Sequence, residues 1–525
     1  MKKLVKVVIA STVVLGLLAS CATTKGAEGS SESVKTEKVK KEKPKKQKKA
    51  KKVKFNKEAY KASYDAGDYA TCISMLSSKK PKKSAIKDHL DINMLQYFSG
   101  DYVTSGKGFM DTLGEMQQLS STMTAGQKMS AALAGENSIE YSGAVYERIL
   151  TYSMRAVNAL KENQTDVAKG VVQTYIGDEK DTIVQLLQQQ KELEASSDGL
   201  LEKDNVKNSM EVLTKFGINI PLLDWSNEKP TKAGEDDVYE SSPFFSYLGS
   251  VIYAADGDFD HASDMSKVYT SSKVKGSDTK ALLGETISVP AGKGHLDVIA
   301  LSGTIGKMTD DAYIPQSMDL TLLLAATGQL KYMPREDAHL KLNYKIAYPS
   351  FDESKQNHQI SKVVVKLSDG SSKNALLIED FDKAVALDVK GKARGAYNRS
   401  IFRNITKSAG TLTAGVAGVV TVDQTLQGCA GDPLTFRLAY MGYEKAVQGL
   451  QKGLDAIVRT EKADVRQAAY FPHKASAAGF SVAPGMYSVT VDYLDSTGNV
   501  VKSETIENVE VKQGKVSAVV SSCEK

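Results

Sequence analysis

The side chains best able to do chemistry are thinly spread along this chain. Six His (89, 261, 295, 339, 358 and 473) include no His-x-x-x-His pair, the spacing that turns two imidazoles to one side of a helix for zinc. No metal centre is therefore expected. Nor does any Gly-x-Ser-x-Gly elbow occur to hold a nucleophilic Ser at a strand-to-helix turn. Gly303-Thr304-Ile305-Gly306-Lys307 has the tail of a phosphate loop, but Leu301 stands where its first Gly belongs and Met308 where a hydroxyl would hold magnesium. A strand-end turn is the expectation there. Ser84 and Lys87 make a Ser-x-x-Lys without the partner motifs of penicillin-interacting enzymes. The best polar pair is His295 with Asp297, on one strand face at i and i+2 beside Gly292 and Gly294. It is expected to be a hydrogen-bonded structural pair, with acid–base chemistry as the alternative. Glu461, Lys462, Asp464 and Arg466 read as an ion-paired or solvated helix end. No catalytic residue and no cofactor is assigned from these patterns.

Cys21 is different in kind. Lys2, Lys3 and Lys6 open the chain, an apolar run follows from Val7 to Leu18, and Leu18-Ala19-Ser20-Cys21 comes next. A positive segment and a short apolar run make a secretory signal, and the four residues resemble the bacterial lipobox. That resemblance implies diacylglycerol on the Cys21 sulfur, cleavage before it and acylation of the new amino terminus. Three acyl chains exceed the two lipid signals that stable anchoring needs. Ala22, where an Asp would hold a lipoprotein at the inner membrane, resembles an outer-membrane address facing the periplasm.

The elements that must position any site differ along the chain. Of 525 residues, 25% are charged and 41% hydrophobic, which suits a globular protein of two to four domains. The net charge of +5 is uneven: residues 1–54 hold sixteen Lys and four Glu, +12, leaving −7 for the rest. Residues 21–54 read as the lipidated Cys and a disordered Lys-rich tether, and residues 1–20 as the signal peptide. No mature stretch reaches the 18 or so apolar residues of a membrane span. Ala66-Gly67-Asp68-Tyr69 returns as Ser99-Gly100-Asp101-Tyr102, 33 residues on, and again as Asp256-Gly257-Asp258-Phe259. Gly permits the turn, Asp caps the next helix and the aromatic packs between helices, as in the turns of tetratricopeptide repeats. Tyr141–Tyr175 and Phe244–Tyr269 each read as a helical pair, so residues 55–285 form a helical, tetratricopeptide-like domain.

Residues 286–390 read as β-rich, with strands at Leu296–Leu301, Leu340–Ile346 and Lys362–Leu367 and two more between Asn374 and Val389. Residues 391–470 return to two helices, about Arg399–Val420 and Leu434–Arg459. The second has a seam through Phe436, Tyr440, Tyr443, Val447, Leu450, Leu454 and Ile457, expected to pack within the chain. Gly442, Gly449 and Gly453 would let another backbone approach it, and Ser408–Val420, too short to span a membrane, reads as a tight buried contact, with a lipid-seeking run as the alternative. Residues 471–525 read as a small antiparallel sheet or sandwich. The fold class is α+β and multidomain.

Several stretches together resemble a family of bacterial lipoproteins with degenerate tetratricopeptide-like helices. They are Tyr146–Leu150, Gly292–Ile299, Ala393–Tyr397 with Arg399–Arg403, Glu461–Arg466, Phe471-Pro472 and Ala483–Tyr487. The chain departs from that pattern at Ala468-Ala469-Tyr470, where a Trp is expected. The resemblance implies an envelope location and this architecture, and no agreed activity.

The expected function is a membrane-anchored scaffold or adaptor that binds a protein partner of the cell envelope. A module for cell-wall polymers is the alternative, and an enzyme without a recognisable motif the third reading. Tyr239, Phe244, Phe245, Tyr247 and Tyr253 are the aromatic group to test as a partner surface, with core packing as the other fate of most of them. Nucleic acid is excluded by an extracytoplasmic location. Outside the cytoplasm Cys72, Cys429 and Cys523 could form one disulfide or remain buried thiols.

Overall fold

A computed structural model describes residues 55–525 apart from 80–84, 122–134, 219–228, 235–236, 278 and 316. Leu18, Ala19, Ser20, Cys21 and the Lys-rich segment lie outside the described residues. Helices come first. Lys57–Asp65 (α1) and Tyr69–Ser77 (α2) form a hairpin, as do Ala85–Phe98 (α3) and Tyr102–Ser121 (α4). Val145–Lys161 (α5) and Thr165–Thr174 (α6) follow, then Lys180–Asp198 (α7), Asp204–Lys215 (α8), the pair Pro243–Asp256 (α9) and Phe259–Ser271 (α10), and Lys280–Ile287 (α11).

The repeated turns are built as their residues dictate. Gly67, Gly100 and Gly257 have φ of 74°, 82° and 88°. At each, the Gly N–H reaches back three residues and the Asp N–H five, which satisfies the last carbonyls of the first helix. Asp68, Asp101 and Asp258 then accept from the backbone N–H of Thr71, Thr104 and His261. The α5–α6 turn repeats these bonds with Asn163 at φ 55°; Asn tolerates this conformation better than other side-chain-bearing residues. Helix α5 is buried on nearly every side and forms the centre of the helical core with Phe109, Phe244, Phe245, Tyr247 and Val251.

The strands form two four-stranded sheets and two short pairs, Thr309–Tyr313 (β2) with Ile346–Ser350 (β5) and Met318–Asp319 (β3) with Lys341–Leu342 (β4). One sheet has the order β12-β1-β9-β8, made of Val516–Cys523, Gly294–Ser302, Lys474–Val482 and Leu376–Asp380. The other has the order β11-β10-β6-β7, made of Val500–Val511, Gly485–Leu494, Lys362–Leu367 and Ser372–Asn374. Leu296, Val298 and Ala300 of β1 pack towards the second sheet with Val365, Val489 and Val491. Ile299 and Leu301 face the helical core. Every residue of β1 is buried, as expected of a strand covered on both faces. The separate sheets expected of residues 286–390 and 471–525 are thus interleaved: β1 pairs in parallel with β12 and antiparallel with β9, and β6 pairs with β10. Local alternation reveals strands but not their partners.

Two further boundaries differ from expectation. Val385 and Val389 are helical, because Asp380 caps a 48-residue helix, Phe381–Gly428 (α13), that starts well before Arg399. A short helix, Leu320–Ala326 (α12), precedes the β4–β5 region, and Asn343–Lys345 belong to no strand. Pro433–Thr460 (α14) returns along α13 and buries Tyr443, Val447, Leu450, Leu454 and Ile457 against Leu412, Val416 and Val419. One window of α13 is long and apolar enough by composition to cross a membrane, contrary to expectation; a third of that window is buried inside the protein, with Leu412, Val416 and Val419 in the hairpin contact. The tight contact is set by Gly415, whose Cβ would lie 2.4 Å from Leu450 Cδ1, and by Gly453, whose Cβ would lie 3.2 Å from Thr411 Cγ2. Gly442 and Gly449 face open space.

Candidate ligand cleft

His295 and Asp297 are completely buried, with His295 Nε2 3.4 Å from Asp297 Oδ2. Tyr247 donates to Asp297 Oδ1 at 2.7 Å and Thr286 to Oδ2 at 3.1 Å. Ser481 Oγ lies 3.0 Å from His295 Nδ1 and donates to Glu285. The pair joins β1 to α9, α11 and β9, and every polar group has a partner. Both side chains are thus tied into the core by Tyr247, Thr286 and Ser481.

Tyr239, Phe244, Phe245, Tyr247 and Tyr253 are between 0% and 4% exposed. They are core residues of this chain and present no free surface. The reason is local: Pro243 and the Ser242 cap start α9 beneath β8. There Glu379 accepts from Tyr239, Ser242 and the Phe244 N–H. Burial pushes the Glu379 carboxyl up to about 7 against these three donors.

A concave site lies elsewhere. A cleft of about 320 Å³ opens between α5, α7, α13 and the segments Lys232–Gly234 and Asp237–Tyr239, at the lower end of the volumes that hold small ligands. Val145, Leu187, Val238 and Leu387 form apolar walls, with Lys191, Lys232, Glu194 and Asp388 among them. Glu194 is the chemically distinctive group. Its Oε2 accepts from the Gly395 N–H at 2.8 Å. Its Oε1 is buried without a hydrogen-bond partner among the described residues and lies 4.0 Å from Arg399 Nη1. Burial pushes this carboxyl up to about 7, opposed by Arg399 and by the Gly395 N–H. A Cβ at Gly395 would meet Glu194 Oε1 at 2.1 Å, so the Gly lets the carboxyl lie against the α13 backbone. The Tyr146 hydroxyl, on the α5 wall, also has no partner among the described residues. Buried polar atoms without partners are uncommon and call for a water, an ion or a ligand.

Three of the stretches quoted for the family resemblance, Tyr146–Leu150, Arg399–Arg403 and Glu461–Arg466, are held by polar pairs. Glu147 accepts from Tyr141, from the Ala144 N–H and from the Ala468 N–H, while burial raises its carboxyl. Arg148 pairs with Glu179, Arg399 with Glu136 and Arg403 with Glu461. Arg466 pairs with Asp464 and donates to the carbonyls of Ile139 and Glu136. The Glu461–Arg466 cluster is therefore ion-paired, and Glu461 is buried. Where a Trp was expected, the Ala468 and Ala469 N–H groups bond Glu147 and Asp91, and Tyr470 stacks on Tyr64.

Tyr146 was within reach of the sequence through its stretch; Glu194 and Asp388 were not. Cys72, Cys429 and Cys523 are free thiols. Among the described residues, His358, Asp382 and His473 bring ligand atoms close enough together for a metal ion, a group no sequence spacing suggested. No family model matches the chain, and no curated protein or solved structure matches it, so the resemblance rests on the residues quoted for it.

Proposed function

We propose that the chain is a lipid-anchored adaptor of the bacterial envelope that holds a segment of a partner protein in the cleft beside α7. The anchor is Cys21, and the address read from Ala22 is the periplasmic face of an outer membrane. One observation carries the binding reading: a cleft with apolar walls that also offers a free carboxylate oxygen, Glu194 Oε1, and a free hydroxyl, Tyr146 Oη. An extended peptide supplies the complements, an N–H for the carboxylate, a carbonyl for the hydroxyl and an apolar side chain between Val145 and Leu387. The helical hairpins support it, since such arrays commonly present binding surfaces.

The test is crosslinking in intact cells of tagged wild type, Cys21→Ala and Ala195→Trp, followed by affinity recovery and mass spectrometry at matched protein levels. Ala195 is exposed on α7 at the cleft, so a Trp there fills the site and spares the core. Wild type should recover a defined envelope protein that both variants lose. Retention by Ala195→Trp would move the partner away from the cleft. If wild type recovers no protein, the adaptor reading fails and binding to purified cell wall becomes the next measurement.

A second reading has its own observation, for a carboxyl held near neutrality in a cleft suits a general acid or base. It predicts that pooled wall fragments are converted by the purified chain and not by Glu194→Gln.

A further inference from the structure

We propose that His358, His473 and Asp382, with Asp380 beside them, form a binding site for a divalent transition metal of the Zn²⁺ class. The four residues come from three parts of the fold. Asp380 ends β8 and caps α13, and Asp382 lies in the first turn of that helix. His473 immediately precedes β9, where Lys474 pairs in register with Asp380. His358 sits on the loop between β5 and β6. Their donor atoms converge. His358 Nε2 is 2.8 Å from Asp382 Oδ2, and His473 Nε2 is 3.8 Å from the same oxygen and 3.3 Å from Asp380 Oδ1. The ligand atoms of His358, Asp382 and His473 all lie within 4.8 Å of one another. A tetrahedral Zn²⁺ at about 2.0–2.1 Å from each donor places neighbouring donors about 3.4 Å apart, inside the range seen here.

The surroundings hold these donors in place. Asp382 Oδ1 accepts the Gly306 N–H at 2.7 Å, which turns Oδ2 towards the imidazoles, the orienting role that outer hydrogen bonds play at metal sites. Gly306 has no room for a side chain, since a Cβ would lie 2.8 Å from Asp382 Oδ2 and from Gln356 Cγ. The failed phosphate loop of the sequence is therefore a brace for a carboxylate. His473 is pinned by its backbone: its N–H donates to the Ser302 carbonyl at 3.0 Å and its carbonyl accepts from the Phe381 N–H at 2.8 Å. The two imidazole rings stack at 3.3 Å, 13° from parallel, and their Nε2 atoms face the neighbouring carboxylates of Asp382 and Asp380.

Charge and access fit a dication. Two carboxylates face the donor space, and Lys474 Nζ, 3.7 Å from Asp380 Oδ2, offsets only one of them. Asp382 and His473 are about 5% exposed, whereas His358 is 17% exposed, so an ion enters from the His358 side. Two imidazoles with carboxylate suit Zn²⁺ and its first-row neighbours and disfavour Ca²⁺ or Mg²⁺.

The test uses the full-length chain in detergent, without a polyhistidine tag, stripped with chelator and dialysed against Zn²⁺. Elemental analysis should find one Zn²⁺ per wild-type chain, and Zn²⁺ should raise the thermal midpoint. His358→Ala and Asp382→Asn should each weaken binding by more than about 10-fold, since even outer-shell changes cost that much, and abolish the thermal shift. Co²⁺ should give four-coordinate visible bands in wild type and lose them in His358→Ala. His261→Ala, exposed on α10, is the control and should bind as wild type does. His358 lies on a partly exposed loop, so its variant is decisive even if Asp382→Asn fails to fold. Absence of stoichiometric Zn²⁺ in folded wild type, or equal binding by His358→Ala, overturns the site.

Discussion

Glu194 links the cleft to pH. Its carboxyl is pushed from 4.5 up to about 7, chiefly by burial, so the folded chain takes up a proton that the unfolded chain releases. The sign follows: its contribution is fully present below about pH 4.5 and is lost as pH rises through 7. The whole shift corresponds to roughly 3 kcal/mol, and the side chain is 19% exposed, so about 1–2 kcal/mol is expected. The unfolding free energy from urea titration should fall between pH 5 and pH 8 by about 1–2 kcal/mol more in wild type than in Glu194→Gln. Glu379, pushed up to about 7 as well, adds a slope of the same sign to both proteins, which makes the difference the quantity to read. Parallel slopes would show that Glu194 titrates as an ordinary carboxyl. His295 and Asp297 were legible as a pair because two residues on one strand share a face. Glu194 was not, because in a Gln- and Glu-rich helix nothing local marks one acid; its burial is imposed by Gly395, 201 residues away.

Glycines show how elements meet, and two of them predict opposite signs. Gly294 opens β1, where a Cβ would lie 2.4 Å from the Lys512 carbonyl oxygen. A backbone atom cannot rotate away, so Gly294→Ala should cost about 1–3 kcal/mol. Gly284, inside α11, has nothing within 4 Å of its Cβ position, and Gly284→Ala should gain about 0.5–1 kcal/mol from helix propensity. Denaturant titration of both variants beside wild type checks the pair, and a stable Gly294→Ala would mean the β11–β12 loop can shift. The hairpin turns were legible because Gly, Asp and the aromatic act within a few residues of one another. The start of α13 was missed although Asp380 carried a cap signal. The apolar residues Leu377, Phe381, Val385 and Val389 serve a strand and then a helix, and alternation alone cannot mark where one becomes the other.

At the scale of the molecule, β1 is the strand that ties distant parts of the chain together. It lies between β12 and β9, so truncation after residue 470 removes both its neighbours and leaves Leu296, Val298 and Ala300 without Val489 and Val491 of the opposing sheet. A chain ending there should fail to accumulate as a protease-resistant protein in cells. A cooperative melt from residues 1–470 would show that the helices stand without the sandwich. The α+β class was legible because helical and strand periodicities occupy different stretches. The interleaving was not, because pairing is a contact between distant segments and leaves no local mark.

That pairing also sets a clock. During synthesis β1 is complete some two hundred residues before its parallel neighbour exists, a wait of roughly 10–40 s at ordinary elongation rates. Throughout it, β1 lacks the strand that pairs in parallel with one of its edges, so the sheet cannot close until residues 516–523 are made. On the proposed reading of an exported lipoprotein, a sheet that cannot close before its tail arrives would keep the chain loose enough to be threaded through a membrane pore.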